Sequence, residues 1–235
     1  MDFNERVVIV TGAAGNLGRA VAAAFRDRGA RLVLVDLQRD RLQAEYGGDD
    51  DRMLLRAANL LEQEDASRVA RDAAERFGRI DVLCNLAGGF TMGEAVHETS
   101  DRTWNSMFDI NARTLLHAVR AVAPGMIERG YGKIVNVGAF SAALRGQAKM
   151  GAYLAAKSTV IRLTESMAAE LRDKGVNVNC VLPTTLDTPQ NRSAMPNADP
   201  ARWVAPRDLA NVIAFLASDD ARAVHGAAVP VTGLS

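Results

Sequence analysis

Short runs of apolar residues alternate along the chain with longer segments in which apolar residues recur every three or four positions. The short runs predict buried strands, and the longer segments predict amphipathic helices. The predicted strands are Val7–Thr11, Arg31–Asp36, Met53–Ala58, Ile80–Asn85, Lys133–Val137, Val176–Leu182 and Ala228–Val231. The predicted helices are Leu17–Arg28, Gln63–Phe77, Thr103–Arg129, Ala152–Lys174 and Pro206–Ala217.

Nearly continuous apolar strands that alternate with helices are typical of a parallel sheet covered on both faces. We therefore predict a single α/β domain over residues 1–235, with a doubly wound, seven-stranded parallel sheet. The proline-rich segment Pro189–Pro206 is the one irregular stretch. We expect this segment to form a lid over the active site.

A glycine-rich turn follows the first predicted strand. Residues 11–18 read Thr-Gly-Ala-Ala-Gly-Asn-Leu-Gly, and the next helix begins within them. A helix N-terminus offers unpaired backbone N–H groups and a partial positive charge, and glycines let a pyrophosphate approach closely. The turn therefore predicts dinucleotide binding by Gly12, Gly15, Asn16, Leu17 and Gly18. Asn16 is not a glycine, but asparagine tolerates positive φ better than most residues.

Asp36 ends the second predicted strand, Arg-Leu-Val-Leu-Val-Asp. A carboxylate at this position accepts hydrogen bonds from an adenosine ribose diol and repels a 2′-phosphate. The alternative is an ordinary helix cap. Asp36 therefore favours NAD over NADP, unless Arg39 turns back toward the ribose.

Tyr153 and Lys157 stand one helical turn apart, so their side chains share a helix face. A phenol near pKa 10 is a poor acid or base at neutral pH, and a nearby ammonium favours the tyrosinate. Taken alone, the pair is more simply a tyrosine and a surface lysine of an amphipathic helix. Downstream of a nucleotide-binding turn, it predicts an acid/base catalyst.

The glycine turn, the strand ends and Tyr-x-x-x-Lys together resemble the short-chain dehydrogenase/reductase family. The resemblance covers nearly all of the chain and implies a Rossmann-type fold, with Tyr153 as the acid/base and Lys157 also holding the nicotinamide ribose. It implies that Asn111 supports a proton-relay water. The further cofactor-binding residues that it implies are Asn59 and Leu60 beside the adenine, and Asn85, Ala87, Gly88, Pro183, Leu186 and Thr188 near the nicotinamide.

The serine that relatives carry after the fifth strand has no clear counterpart, because strand alignment places Gly138 and Ala139 at its position. Ser141 is the only hydroxyl between that strand and Tyr153, so we take Ser141 as the candidate. The segment from Leu182 to Trp203, and Ala-Gly-Gly-Phe at residues 87–90, are similar to the dihydropteridine reductase branch of the family. That branch lacks the serine and prefers NADH.

The charges balance, with 28 Lys and Arg against 28 Asp and Glu, so neither nucleic acid nor a membrane surface is predicted as a partner. Cys84 and Cys180 lie in apolar runs typical of reduced core residues, and the three histidines lack metal-ligand spacing. With no leader pattern at the N-terminus, we expect a cytoplasmic protein that binds no metal.

We therefore predict an NAD(H)-dependent oxidoreductase that acts on a small carbonyl or alcohol, with a 3-oxoacyl thioester among the candidates. Reduction of a pterin-like imine is the second hypothesis, and a nucleotide-sensing regulator is an alternative of another class. The resemblance also implies a homodimer or homotetramer through the two long helices. Their additional apolar positions are Leu115, Val119, Val122, Val160, Leu163 and Met167.

Overall fold

Seven parallel strands form one sheet at the centre of the computed structural model, which describes residues 1–235. The order across the sheet is β3-β2-β1-β4-β5-β6-β7. The strands are β1 Val7–Thr11, β2 Arg31–Asp36, β3 Met53–Ala57, β4 Val82–Asn85, β5 Gly132–Val137, β6 Val176–Pro183 and β7 Ala228–Val231. The α/β prediction with a seven-stranded parallel sheet is confirmed.

Nine α-helices connect and cover the strands. They are α1 Asn16–Arg26, α2 Arg39–Tyr46, α3 Gln63–Phe77, α4 Asp101–Phe108, α5 Thr114–Arg129, α6 Phe140–Leu144, α7 Gly151–Leu171, α8 Pro189–Ala194 and α9 Pro206–Leu216. Helices α3, α5 and α7 bury one face of the sheet, while α1, α2 and α9 bury the other. Alternate residues of β1 are buried in the hydrophobic cores on the two faces of the sheet, which explains why the strand is apolar on both sides.

The strand order reverses between β1 and β4, because β2 lies on one side of β1 and β4 on the other. In open parallel sheets, this reversal opens a crevice at the carboxyl ends of the strands, where ligands bind. The glycine turn after β1 and the loop after β4 both open into this edge. The fold thus brings together segments that are more than seventy residues apart in the sequence.

Two helix predictions were wrong in detail. The segment Thr103–Arg129 is not one helix: α4 and α5 are separated by a π-helical stretch, Asp109–Arg113. The final turn predicted for the long helix up to Lys174 is a 3₁₀ turn, Arg172–Lys174, after α7. Helix α2 was not predicted, because only Leu42 of its eight residues is buried and no apolar stripe marks it.

The apolar positions proposed for subunit contacts are mostly used inside the chain. Leu115, Val119, Val122 and Val160 are buried in the core beneath α5 and α7, and Leu163 and Met167 pack against that core. These positions therefore give no support to an oligomer, and that expectation rests on the family resemblance alone.

The segment Pro189–Pro206 is more regular than predicted. It contains helix α8, a 3₁₀ turn at Pro200–Arg202 and the start of α9. A parallel bridge pairs Leu186 with Val204 and closes the segment at its base. No helix of the protein combines the length and the apolar character needed to cross a bilayer.

Candidate active site

The glycine turn is held open by two glycines. Gly12 has φ +64°, a conformation that favours glycine, and a Cβ there would lie 3.1 Å from the backbone of Ala87. Gly18 packs so closely on the turn that a Cβ would lie 2.7 Å from the Cα of Ala13. The turn therefore presents backbone, with no side chain at either glycine, toward the loop after β4.

The first amide groups of α1 are free to bind an anion. The N–H groups of Asn16, Leu17 and Gly18 have no hydrogen-bond acceptor in the chain, and the first helical bond runs from Arg19 N–H to Gly15. Three unpaired donors at the end of a glycine-rich turn fit a dinucleotide pyrophosphate.

Asn16 does not adopt the positive φ that its sequence position suggested, since only Glu5 and Lys149 do so among residues other than glycine. Asn16 is instead the first residue of α1, and Gly15 caps the helix. Its side chain donates a hydrogen bond to Gln190 of α8, and sequence analysis did not predict this contact.

Asp36 lies directly beside the turn. One carboxylate oxygen accepts the N–H of Ala14 at 3.0 Å, and the other accepts the N–H of Leu37 at 2.9 Å. Each oxygen retains a lone pair for a further donor. On the turn's other side, Arg41 of α2 donates to the Ala14 carbonyl at 3.3 Å. Arg39 makes no hydrogen bond or ion pair, so Asp36 has no cationic partner.

Asn59 and Leu60 lie in the loop after β3, and β3 pairs with β2 up to Asp36. The Asn59 side chain accepts the N–H of Leu61, while its backbone N–H donates to Asp65 at 2.7 Å. Leu60 is buried, and its carbonyl contacts Nδ1 of His117 at 3.0 Å. These bonds fix the loop at the end of the sheet nearest Asp36.

Thr11 fastens the loop after β4 to the glycine turn. Its hydroxyl accepts the N–H groups of Leu86 and Ala87, each at 3.0 Å. Asn85 points into the sheet, where its amide donates to Asn136, which in turn donates to Thr164. Asn85 thus orders the strand ends through its side chain, and Thr11 is a functional residue that sequence analysis missed.

Pro183 ends β6, and the loop that follows carries Leu186 and Thr188. Thr188 caps α8 by accepting the N–H of Asn191 at 3.2 Å, and the Asn191 amide donates to the Leu186 carbonyl at 2.8 Å. The Leu186 N–H makes no hydrogen bond in the chain. Thr184, where relatives have glycine, instead bonds the carbonyl of Thr232 near the C-terminus.

Asn111 is buried, not a surface amide, and belongs to the π-helical stretch. Its Oδ1 accepts the N–H of Gly89 at 3.2 Å, and its Nδ2 donates to the carbonyls of Gly89 and Met107, both at 3.0 Å. A Cβ on Gly88 would lie 2.9 Å from this Oδ1 and 3.4 Å from Lys157 Nζ. The side-chain ends of Asn111 and Lys157 therefore both lie next to Gly88, which has no side chain of its own.

Lys157 is buried on α7, and its ammonium donates to the carbonyl of Val137 at 2.8 Å. Burial lowers the pKa of Lys157 to about 8. Burial also raises the pKa of Tyr153 to about 12, and no hydrogen bond joins the two side chains. Desolvation alone sets the direction of the Tyr153 pKa in this arrangement, and the expectation that Lys157 favours the tyrosinate stays a prediction.

Phe90 packs edge-on against Tyr153, with ring centroids 4.8 Å apart and an interplanar angle of 86°. Phe90 is nevertheless 57% exposed, as is Met92 in the same loop, and Val96 is 75% exposed. Leu144 of α6 is exposed as well, and it borders a hollow with residues of the first turns of α7. Tyr153 is thus in contact with one exposed apolar side chain, Phe90, and the segment that carries Phe90 exposes two more.

Ser141 lies on α6, and its hydroxyl makes no hydrogen bond in the chain. The packing explains why no serine stands earlier. A Cβ on Gly138 would lie 2.7 Å from Cδ2 of Leu182 and 3.1 Å from Sγ of Cys180, and Ala139 is buried. Sulfur and methyl groups of β6 thus fill the space that a residue-138 side chain would occupy.

A surface concavity of about 1140 Å³ lies elsewhere, at the amino ends of β2 and β3. It is lined by charged residues of both signs, including Arg26, Arg52 and Asp51. None of the predicted site residues borders it. Bond geometry and chemistry, rather than the size of a hollow, identify the carboxyl edge as the site.

Comparison with known proteins identifies the family. The sequence pattern described as short chain dehydrogenase matches residues 6–199. The chain belongs to the short-chain dehydrogenase/reductase family. It is an oxidoreductase that acts on CH–OH and C=O groups with a nicotinamide cofactor.

Individual relatives align over almost their whole length. The 3-oxoacyl-acyl-carrier-protein reductase FabG of Vibrio cholerae is 30% identical over 99% of this chain and 98% of its own. D-threitol dehydrogenase of Mycolicibacterium smegmatis is 34% identical, covering 99% and 95%. The structure of NAD⁺-bound xylitol dehydrogenase superposes with a TM-score of 0.90 at 26% identity, covering 99% of this chain and all of the other.

Proposed function

We propose that the protein is an NAD(H)-dependent oxidoreductase that reduces a small carbonyl compound with an apolar substituent and, in the reverse direction, oxidises the corresponding alcohol. The observation that carries the proposal is the close approach of Asn111 and Lys157 at Gly88, in the loop after β4, with Lys157 on the same helix as Tyr153. Retention of this group makes a purely nucleotide-sensing role the weaker hypothesis.

The cofactor would lie along the carboxyl edge of the sheet. The N–H groups of residues 16–18 would bind its pyrophosphate, Asp36 its adenosine ribose, and the Asn59–Leu60 loop its adenine. Ala87 and Gly88 would form the wall on the nicotinamide side, with the Leu186 N–H and the Thr188 hydroxyl near the carboxamide and Pro183 beneath them. When bound, the nicotinamide would exchange a hydride with the substrate carbon.

Tyr153 would supply the proton. Because its pKa lies near 12, the phenol is protonated at neutral pH and suits donation to the developing alkoxide. Lys157 would stabilise the tyrosinate left after transfer, since opposite charges in general attract by ~4 kcal/mol at a separation of ~4 Å and an effective dielectric of ~20. Asn111 would hold the water that returns the proton.

Phe90, which packs on Tyr153, and the exposed Met92 and Val96 that follow it in the chain favour an uncharged substrate with an apolar substituent. Ketones, aldehydes and the acyl part of a 3-oxoacyl thioester meet that description. A pterin-like imine is the second candidate, because no serine stands at residue 138, where a side chain would crowd Leu182 and Cys180, and this leaves Tyr153 as the principal donor.

The test is NADH oxidation, followed at 340 nm, with a panel of aliphatic ketones, aryl ketones, 3-oxoacyl thioesters and a quinonoid pterin. We expect turnover of at least one apolar ketone. Failure of NADH to bind, measured by fluorescence titration, would contradict the proposal at its base.

Ser141→Ala separates the two substrate classes. If Ser141 is a second donor to a ketone oxygen, its loss lowers kcat by roughly 10²-fold, the usual effect of removing one such donor. With an imine, the same change leaves kcat nearly unaltered. Strong ketone activity in an unimpaired Ser141→Ala variant would break this link.

We also propose that the protein forms a homodimer or homotetramer, as its family resemblance implies. Light scattering at micromolar concentration measures the mass directly. A monomer of 25.2 kDa would exclude both assemblies.

A further inference from the structure

The side-chain amide of Asn16 is held at both ends. Its Oδ1 accepts a hydrogen bond from Nη2 of Arg19 at 2.7 Å, and its Nδ2 donates to Oε1 of Gln190 at 2.7 Å. Arginine has only donors, so the bond to Arg19 requires the amide oxygen to face it. The amide N–H groups must therefore face Gln190 on α8.

Arg19 is itself fixed from the other side. Its Nη1 donates to the Glu45 carboxylate of α2 at 3.0 Å. A continuous chain of four side chains thus runs from Glu45 through Arg19 and Asn16 to Gln190. The chain joins α2, the start of α1 and the lid helix α8.

Helix α8 has no other hydrogen bond to a distant part of the molecule. Its remaining bonds go to flanking residues: Asn191 bonds Leu186 and Thr188, and Arg192 bonds Asp187. The side chains of α8 are largely exposed, and none is buried. Gln190 is therefore the point at which α8 is tied across the cleft.

The hydrogen bond to Gln190 comes from Asn16, the residue whose backbone N–H faces the proposed cofactor site. The backbone N–H of Asn16 is among the three unpaired donors at the start of α1, so its side chain departs from the proposed pyrophosphate site. We propose that Asn16 is a positioning residue whose bond to Gln190 holds α8 over the cofactor cleft and slows release of the dinucleotide. This inference rests on the proposed NAD(H) function.

The expected effect is modest, because one neutral hydrogen bond near the surface changes an equilibrium by about two- to tenfold. Gln190→Met keeps the side-chain length and removes the acceptor. It should raise the NADH dissociation rate, measured by stopped-flow fluorescence, by about that factor. Ser193→Ala, an exposed α8 residue that makes no hydrogen bond through its side chain, is the matched control and should leave the rate unchanged.

A double-mutant cycle shows whether the two residues act through each other. Asn16→Ala removes the tie and alters the turn, so its own effect is larger. Adding Gln190→Met to Asn16→Ala should accelerate dissociation no further. Multiplying effects, or a Gln190→Met rate equal to that of wild type, would overturn the inference while leaving the proposed function intact.

Amide hydrogen exchange tests the tie without any cofactor. In the unliganded protein, Gln190→Met should speed exchange of residues 190–195 by about two- to tenfold, while Ser193→Ala should not. Unchanged exchange would show that Gln190 does not hold α8. Wild-type protein that fails to bind NADH would instead refute the proposed function, and with it the effect on release.

Discussion

Two buried lysines lie at opposite ends of strand β5, and the protein surrounds them differently. At the amino end, Lys133 donates to Oδ1 of Asn177 at 2.8 Å, and the Asp219 carboxylate lies 3.7 Å away. At the carboxyl end, Lys157 has one hydrogen bond, to the carbonyl of Val137. Burial lowers the pKa of both, but only Lys133 has a nearby carboxylate that acts in the other direction.

An ammonium carries three donors, and a buried charge without partners is costly. Lys133 is therefore a structural group whose charge is compensated within the chain. Lys157 is left with donors that only a ligand or water satisfies, which is the pattern of a functional residue. The difference between the two lysines thus distinguishes a structural edge of the sheet from the proposed catalytic edge, and each of the following experiments tests that distinction.

The largest effect is expected from the tyrosines at the two edges. Tyr153→Phe should lower kcat at least about 10²-fold, because the transition state loses its proton donor. NADH affinity should stay nearly the same, since the phenol contributes little to the ground state. Tyr131→Phe is the control at the amino edge, where the hydroxyl bonds Asp219. Turnover within threefold of wild type for Tyr153→Phe would reject Tyr153 as the acid.

The two lysines should respond to methionine with opposite signs in the unliganded protein. Lys157→Met removes a charge whose burial costs up to about 3 kcal/mol at neutral pH. After the loss of the Val137 bond, about 1 kcal/mol, the variant should gain about 1–2 kcal/mol of unfolding free energy while losing activity.

Lys133→Met should instead lose about 1–3 kcal/mol, because the buried Oδ1 of Asn177 is left unpaired. Asn177 cannot turn to compensate, since its Nδ2 is bonded to the carbonyls of Arg222 and Val224. Urea denaturation measures both variants. If the unfolding free energy rose in both variants, or fell in both, the two lysines would not differ in the way that the contrast requires.

The pH dependence provides a smaller signal of the same difference. Lys157 loses its proton near pH 8 when folded and near 10.5 when unfolded. Between these values, the unfolded state binds more protons, so stability rises with pH by up to about 1.4 kcal/mol per unit. The stability advantage of Lys157→Met over wild type should therefore shrink from pH 8 to 9.5. A constant difference would show that Lys157 stays charged in the fold.

The smallest effect concerns two aspartates that repeat the contrast. Asp81, at the amino edge, is bonded by Arg79 and by the Val7 N–H. Asp36, at the carboxyl edge, is bonded only by two backbone N–H groups. Asp36 should therefore repel a 2′-phosphate and favour NADH over NADPH in kcat/KM by at least about tenfold, or 1.4 kcal/mol. Asp36→Asn should reduce that ratio; equal efficiencies in the wild type would assign Asp36 no part in selection.

Local sequence signals predicted the sheet well, and the catalytic roles of Tyr153 and Lys157 stay a prediction from the same kind of signal. Strands β1 and β2 have the predicted bounds because their apolar runs end at polar residues where the chain leaves the sheet. The family resemblance added Asn111 and the loop after β6. These features depend on short segments whose chemistry is independent of the rest of the chain.

Features that depend on distant contacts were not visible in the sequence. The Thr11 hydroxyl fastens a loop more than seventy residues away, and Gln190 meets Asn16 across the cleft. The raised pKa of Tyr153 follows from burial, which no motif reports. Helix α2 lies mostly in solvent, so its sequence lacks the stripe that marks other helices.

The π-helical stretch before α5 allows the consecutive helices α4 and α5 to pack against different neighbours. An extra residue in a helical turn rotates everything that follows by about 100°. Met107 of α4 can thus face Ala152 and Ala156 of α7, while Leu115 of α5 faces the sheet and α3. The stretch thus rotates the buried face of α5 relative to the buried face of α4, and Asn111 lies within the stretch. Deleting one residue there would restore a regular helix through α4 and α5. Either the Asn111 amide or the core-facing side of α5 would then point away from its partner.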